Sequence, residues 1–581
     1  GDIGIIARFL KETSDYTNIT NNFSMEWKPI QEFTLRGTFG IYTQTSNTDN
    51  YLPPEHTSFA DYTDENYFRR GSYDYSTNKS SRYNFSLTAN YSKVFAEKHM
   101  VYAGLNMDLE DQRSRGYSFS VEGFPSGSLD FLSVAMQYKE NGKPGGSESK
   151  SRRVGFVGNA SYSFEDRYFV DASFRTDGSS LYGSDRRFAP FWSAGIGWNI
   201  HREGFMSDVD WINRLKIRAS VGETGSNNFS SYEAMATYAY SLSDRYYNWM
   251  GANMKALANP DLEWQKTMKY NAGIEVNMLN NRLSMICDLY LERTNGLMSS
   301  LELPPSNGFS SYKANIGKLE NKGFELKVTG YLLRDTEREL IWSVTGSLVR
   351  NKDKIIELSE AMKEANATLL ETGGATPNKI WQEGDSQNAI YAVRSLGIDP
   401  SNGRELFLKK NGEVTYTWDA NDRVFCGVDQ PDYRGNINTM FMWKDLSVNL
   451  SFGYEWGGQQ YNSTLISRVE NADKKYNVDR RVYEDRWKEP GDRTFFKGIN
   501  ETTATQATSR FVQDEATFTC QNLNVTYDLK GNKWLKRNLG IQTLTLKGDI
   551  ADLFRISTIK QERGTSYPFS RQFSFTLSAM F

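Results

Sequence analysis

The chain has 581 residues and a net charge of −3; 38% of it is hydrophobic, yet 14% is aromatic. That near-neutral balance leaves no electrostatic footprint for a nucleic-acid partner. No run approaches the roughly 18–20 apolar residues of a membrane-spanning helix. Low hydrophobicity with many rings suits a polypeptide that buries only alternate residues.

The first ten residues, GDIGIIARFL, lack the basic flank and apolar length of a signal peptide, so the chain is expected to begin mid-domain. A two-residue alternation then dominates. Phe23, Met25 and Trp27 alternate with Ser24 and Glu26, and after Pro29 the positions Phe33, Leu35, Phe39 and Ile41 keep one parity. Tyr83, Phe85, Leu87, Ala89 and Tyr91 follow, then Val101, Ala103, Leu105 and Met107, then segments around 156–164 and 168–174. Further on, Trp192 to Trp198, Leu215 to Val221, Trp264 to Val276, Leu283 to Leu291, Phe324 to Val328 and Trp342 to Leu348 repeat the pattern. Leu446, Val448, Leu450, Phe452, Tyr454 and Trp456 form the longest uninterrupted case, before segments at 523–527 and 544–550. The last strand, Arg571–Phe581, alternates Phe573, Phe575, Leu577, Ala579 and Phe581 with small polar residues. The count comes to about nineteen strands of roughly ten residues, the length of tilted membrane-spanning strands.

Two features separate a membrane barrel from a soluble sandwich. The polar face carries charges inside strands, among them Glu26, Lys216, Arg218, Lys269, Glu275, Lys327 and Asp549; a wide barrel with a wet interior tolerates them. Connections also alternate in length. Short turns are predicted at 29–31, 96–98, 165–167, 279–282, 334–339 and 444–445, and long loops at 47–80, 110–150, 224–262, 297–315, 354–385, 411–433, 457–514 and 553–569. That is the periplasmic-turn, extracellular-loop rhythm of outer-membrane barrels. The fold class is therefore all-β, a transmembrane antiparallel β-barrel, whose last strand is expected to pair with the first strand because an open edge in lipid strands its backbone polar groups.

Chemistry-bearing residues are sparse. His56, His99 and His201 are scattered and show no Ser-His-Asp arrangement, and Cys287, Cys426 and Cys520 lack metal-site or disulfide spacing. The segment TWDANDR (417–423) reads as an exposed turn rather than a calcium loop. No enzyme activity, metal or cofactor is expected. The recognition candidates are loop aromatics: Tyr246, Tyr247 and Trp249 in DRYYNWMGAN, with Trp381 and Gln387 in IWQEGDSQNAIYAV. Flat rings beside polar groups stack on sugar rings or hold peptide side chains; loop packing or an interfacial girdle are the plainer readings.

Several stretches resemble the SusC/RagA branch of TonB-dependent outer-membrane transporters from Bacteroidota: FRTDGSSLYG (174–183), FWSAGIGWNI (191–200), LKIRASVGETGSNNFSSYEA (215–234), the run from Asn259 to Met298, NIGKLENKGFELKV (315–328), YEDRWKEPGD (483–492) and ERGTSYPFSRQFSFTLSAMF (562–581). The resemblance implies a 22-strand barrel in the outer membrane of a Gram-negative bacterium, a plug domain and contact with TonB. It also implies a SusD-like surface lipoprotein as a hinged lid, commonly in a dimer of transporter–lipoprotein pairs. Residues 1–581 would be the C-terminal part of that barrel, with the plug and about the first three strands missing. The implied function is active import of an oligosaccharide. Oligopeptide import or a passive porin-type channel are the alternatives, and the intact mass of the mature protein separates the porin.

Overall fold

The computed structural model describes residues 10–140, 142–181, 187–226, 235–259, 262–302, 308–309, 311–371, 373–473, 475, 478–560 and 571–581. Its strands are, in chain order, β1 (Lys11–Ile30), β2 (Phe33–Leu52), β3 (Ser72–Phe95), β4 (His99–Glu122), β5 (Gln137–Tyr138), β6 (Gly145–Phe164), β7 (Tyr168–Ser179), β8 (Phe188–Asn199), β9 (Ile212–Ser226), β10 (Thr237–Tyr246), β11 (Trp249–Ala256) and β12 (Gln265–Met278). They continue with β13 (Leu283–Glu302), β14 (Ser311–Asp335), β15 (Leu340–Leu358), β16 (Ala389–Ile398), β17 (Glu405–Leu408), β18 (Val414–Thr415), β19 (Arg423–Val428), β20 (Tyr433–Trp443), β21 (Leu446–Tyr461), β22 (Val512–Lys530), β23 (Thr543–Ser557) and β24 (Gln572–Met580). Eighteen are ladder strands among the described residues, against about nineteen expected; β10 and β11 form a separate hairpin, and β16–β19 a separate four-stranded sheet.

The chain divides into two compact units, Gly1–Glu165 with Asp171–Ser193 and Gly225–Trp264, and Asp166–Val170 with Ala194–Thr224 and Gln265–Phe581. In the first, β1, β2, β3, β4 and β6 pair antiparallel, with one register shift, between Trp27 and Ile30 of β1. Because strand side chains alternate faces, register lines up like with like. Phe23, Phe39, Phe85, Leu109 and Val154 form one row across five strands, and the next row, on the other face, is Asn22, Gly40, Asn84, Glu110 and Arg153. Side chains of the polar face bond one another: Asn106 donates to Ser86 Oγ at 3.0 Å and Thr88 Oγ1 at 2.8 Å, and Tyr102 to Asn90 Oδ1 at 2.9 Å. The apolar face has no protein cover among the described residues, Phe23 being 70% and Leu105 67% exposed. A face this wide and apolar is stable only against lipid.

The second unit repeats the arrangement with β9, β12–β15 and β20–β24, each ladder strand pairing its chain neighbour. Chain-neighbour pairing needs tight turns at one end, and these fall where predicted. At 96–97 and 165–166 the turn residues adopt left-handed backbone without glycine (φ 48° and 59° at Ala96 and Glu97, 48° and 55° at Glu165 and Asp166); that hand matches the twist of the strands the turn joins.

The strands are longer than the sequence pattern indicates. β3 runs for 24 residues and β14 for 25, where roughly ten carry the alternation. Beyond the apolar band both faces are polar, so alternation stops while backbone pairing continues. The predicted loops 47–80 and 110–150 shrink accordingly to 53–71 and 123–144.

Candidate functional site

On the polar face of the second unit, β9, β12, β13, β14 and β15 build a cleft of about 670 Å³. Register places Asn271, Tyr290, Gly323 and Asn351 in one row, with Gly273, Asp288 and Glu325 in the adjacent one. Arg218 reaches across from β9 and binds both Asp288 oxygens at 2.7 Å, and Tyr290 donates to Asn351 Oδ1 at 2.9 Å. Gly273 and Gly323 keep the floor low: a Cβ on the first would lie 2.4 Å from Asp288 Oδ1, and on the second 2.6 Å from the Tyr290 hydroxyl. Lys269 pairs with Glu292 at 3.0 Å. The wall thus offers amide, hydroxyl and carboxylate groups, Asp288 and Glu292 held by Arg218 and Lys269 and Glu325 adding a further carboxylate, suited to weak, exchangeable contacts with a polar solute.

The connection between β15 and β20, and that between β21 and β22, form a second feature. The sheet β18–β17–β16–β19 packs against the 462–511 segment, and buried charges staple the two. Arg510 donates to Glu405 at 2.7 Å and to Glu470 at 2.7 Å, all three side chains being 6% exposed or less. Thr508 adds a bond to Glu405 at 2.8 Å, and Thr505 one to Glu470 at 3.0 Å. Burial works against the Arg510 charge, but Glu405 and Glu470 outweigh it and hold the guanidinium above the usual arginine range. Arg486 and Lys497 nearby are pushed down by burial; Arg486 donates through its two terminal nitrogens to the carbonyls of Lys497, Val469 and Glu470, and Lys497 to that of Thr503. Around these charges Leu465, Ile466, Val469, Val482, Phe496 and Phe511 close a dry core. Beside it opens a cleft of about 350 Å³ with Phe407, Tyr416 and Trp418 on one side and Arg404, Glu501 and Gln506 among its polar groups. The Tyr416 hydroxyl donates to Asp399 at 2.5 Å, and Arg404 lies 4.8 Å above the Tyr416 ring.

Residues 6–546 match the family described as TonB dependent receptor-like, beta-barrel. The chain belongs to this family. It is therefore an all-β outer-membrane barrel protein, and the likeness to the SusC/RagA branch holds. It is 27% identical to the TonB-dependent receptor SusC of Bacteroides thetaiotaomicron over 338 residues, 55% of this chain and 33% of that protein. It is 28% identical to a TonB-dependent receptor of Formosa agariphila over 478 residues, 77% of this chain and 45% of the relative. A second receptor of that organism is 24% identical over 519 residues, 80% and 48%. The chain thus spans about half the length, or less, of these relatives. In fold it is similar to the RagAB peptide importer in its open-open state, with a TM-score of 0.83 and 22% identity over 99% of this chain and 62% of that one.

The aromatic candidates of this TonB-dependent barrel chain separate into two kinds. Tyr246 ends β10 and pairs with Trp249, which opens β11, so the hairpin turns at 247–248. Tyr247, at φ 56°, and Trp249 are 87% and 77% exposed, at the tip of the hairpin. Trp381 differs. It is 8% exposed and packed with Leu319, Ile355, Leu358 and Met362, where its backbone exchanges two hydrogen bonds with the Asn366 amide. Its ring anchors the helix Glu360–Glu371 and is closed to cargo in this arrangement. Gln387 is half-buried, its backbone N–H bonded to Asp353 Oδ2 at 2.7 Å. Sequence reasoning missed Arg218, Asp288 and Tyr290 as a cluster, although Arg218 was noted as a charge inside a strand; strand register alone brings them together. It also missed the cleft at Tyr416 and Trp418.

Proposed function

We propose that the chain is the C-terminal barrel part of a TonB-dependent importer of oligosaccharides, working with a SusD-like lipoprotein as lid. The plug and about three further strands would come from polypeptide outside residues 1–581, in keeping with the share of its relatives that this chain covers. TonB would act through that plug, and transporter–lipoprotein pairs would associate as dimers. The observation that carries the reading is the polar cleft around Arg218, Asp288 and Tyr290, rich in amide and hydroxyl groups. Such a wall slides a neutral, hydroxyl-rich chain along without trapping it. Cargo contact would involve the exposed Tyr247 and Trp249 with Tyr246 in the first unit, and Gln387 and the Trp381 loop in the second.

Uptake of a labelled glycan and peptide panel by cells carrying the intact protein and its partner tests this. A glycan is expected to enter, and an uncoupler of the proton-motive force is expected to stop it. The Tyr247→Ala/Trp249→Ala double variant is expected to lose about tenfold in uptake at limiting concentration, since each lost ring contact is worth roughly 0.5–1.5 kcal/mol. Peptide-only uptake would assign the cargo class to oligopeptides instead. Entry that survives the uncoupler would mark a passive channel.

A further inference from the structure

The apolar face of the first unit ends in a cationic band. Following the register of β3, β4 and β6 from the short-turn end toward the long loops, the row Phe85–Leu109–Val154 is the last wholly apolar one. On the same face the next rows read Tyr83–Asp111–Arg152, then Ser81–Arg113–Lys150, then Lys79–Arg115–Glu148. Five cations stand there against two anions. Asp111 is shared by Arg113 at 2.9 Å and Arg152 at 2.8 Å, and Glu148 is taken by Arg115 at 3.0 Å. The band keeps an excess of positive charge at the level where lipid tails give way to headgroups. The basic side chains also stay well exposed, Arg113 at 55% and Arg152 at 60%.

Beside it lies a groove of about 540 Å³ lined by apolar residues from Phe39 to Phe188, with Arg152, Arg153 and Arg187 against the carboxylates of Glu110 and Asp111 among its polar groups. Its floor is Gly178. A Cβ there would come within 2.5 Å of the Phe188 ring, so only glycine lets that ring lie down and leaves the furrow open. An apolar furrow opening onto a band in which guanidinium and ammonium groups outnumber carboxylates is complementary to an acyl chain whose head carries phosphate. Guanidinium binds phosphate oxygens in pairs, and each basic group near an anionic surface adds to binding.

We propose that this face holds a phosphorylated, multiply acylated saccharide lipid of the outer leaflet. One acyl chain occupies the Phe39–Phe188 furrow, and the phosphate lies on Arg113, Lys150 and Arg152. The long-loop end of the strands faces the cell exterior, which makes the external leaflet the source of the lipid. The side chains assigned to the phosphate, Arg113, Lys150 and Arg152, share the parity of Phe85 and Leu109 rather than that of the polar face.

The test uses the intact protein extracted from outer membranes and exchanged into neutral detergent. Native mass spectrometry then follows retention of added diphosphoryl lipid A, its dephosphorylated form and phosphatidylethanolamine. The expected result is retention of the diphosphoryl form, with at least about tenfold weaker retention of the other two. The Arg113→Gln/Lys150→Gln/Arg152→Gln variant is expected to lose that preference by about tenfold or more, from the surface contribution of each basic group. Gel mobility with and without heating verifies that the variant barrel is folded. A second variant, Phe188→Ala, is expected to weaken retention of all acylated probes while keeping the phosphate preference. Equal retention of all three lipids by the unaltered protein, or an unchanged preference in the triple variant, would overturn the proposal.

Discussion

Arg510→Leu is expected to unseat the 462–511 segment from the β16–β19 sheet, at a cost of about 3–5 kcal/mol to the local stability of that body. The arginine bridges Glu405 and Glu470 where none of the three side chains is more than 6% exposed. Deleting it leaves two carboxylates buried and facing each other, and the loss is mostly that uncompensated charge rather than the worth of the pairs. Hydrogen exchange across 462–511 and limited proteolysis would report it. Arg510→Lys should fall in between, because an ammonium cannot reproduce the forked contact to Glu405, made through Nε at 3.0 Å and Nη2 at 2.7 Å. Adding Glu405→Gln and Glu470→Gln to Arg510→Leu should restore part of the protection. If Arg510→Leu alone leaves exchange unchanged, the segment is held by its apolar core and the charges are incidental.

Leu105→Arg is the second large effect. Leu105 sits between Ala89 and Gly158 on the apolar face, 67% exposed. An arginine near the middle of the lipid band of a barrel costs roughly 2–4 kcal/mol. Thr34→Arg places the same side chain at nearly the same height but on the face shared with Asn90, since Thr34 pairs with Asn90. It should cost little. Urea unfolding of the two variants from lipid vesicles gives the comparison. Equal losses would mean that both faces see the same surroundings.

What the sequence displayed was the part of each strand in contact with two different solvents. Phe85, Leu87 and Ala89 against Ser86, Thr88 and Asn90 are legible because lipid lies on one side and water on the other. The outer halves of β3 and β4, from Ser72 to Arg82 and from Gln112 to Glu122, are paired residue by residue yet carry no such contrast, and so read as loop. The β16–β19 sheet was hidden for a related reason: its strands are short, and β17 and β18 have four and two residues. Arg510, Glu405 and Glu470 are 105 and 40 positions apart, so no local spacing announces them. Trp381 and Trp249 look alike as aromatic loop residues. Only the chain around them distinguishes them: Trp381 lies in a segment that folds back against the helix Glu360–Glu371, whereas Trp249 follows a two-residue turn and stays 77% exposed.

The most direct measurement of the central claim is a nitroxide scan along β4, one label at a time from Tyr102 to Leu109, in the protein reconstituted into bilayers. Labels at 103, 105, 107 and 109 should be relaxed by dissolved oxygen, and labels at 102, 104, 106 and 108 by a water-soluble nickel chelate, giving a strict two-residue period. A uniform response along the strand, or a period near 3.6 residues, would contradict a strand with lipid on one face and water on the other.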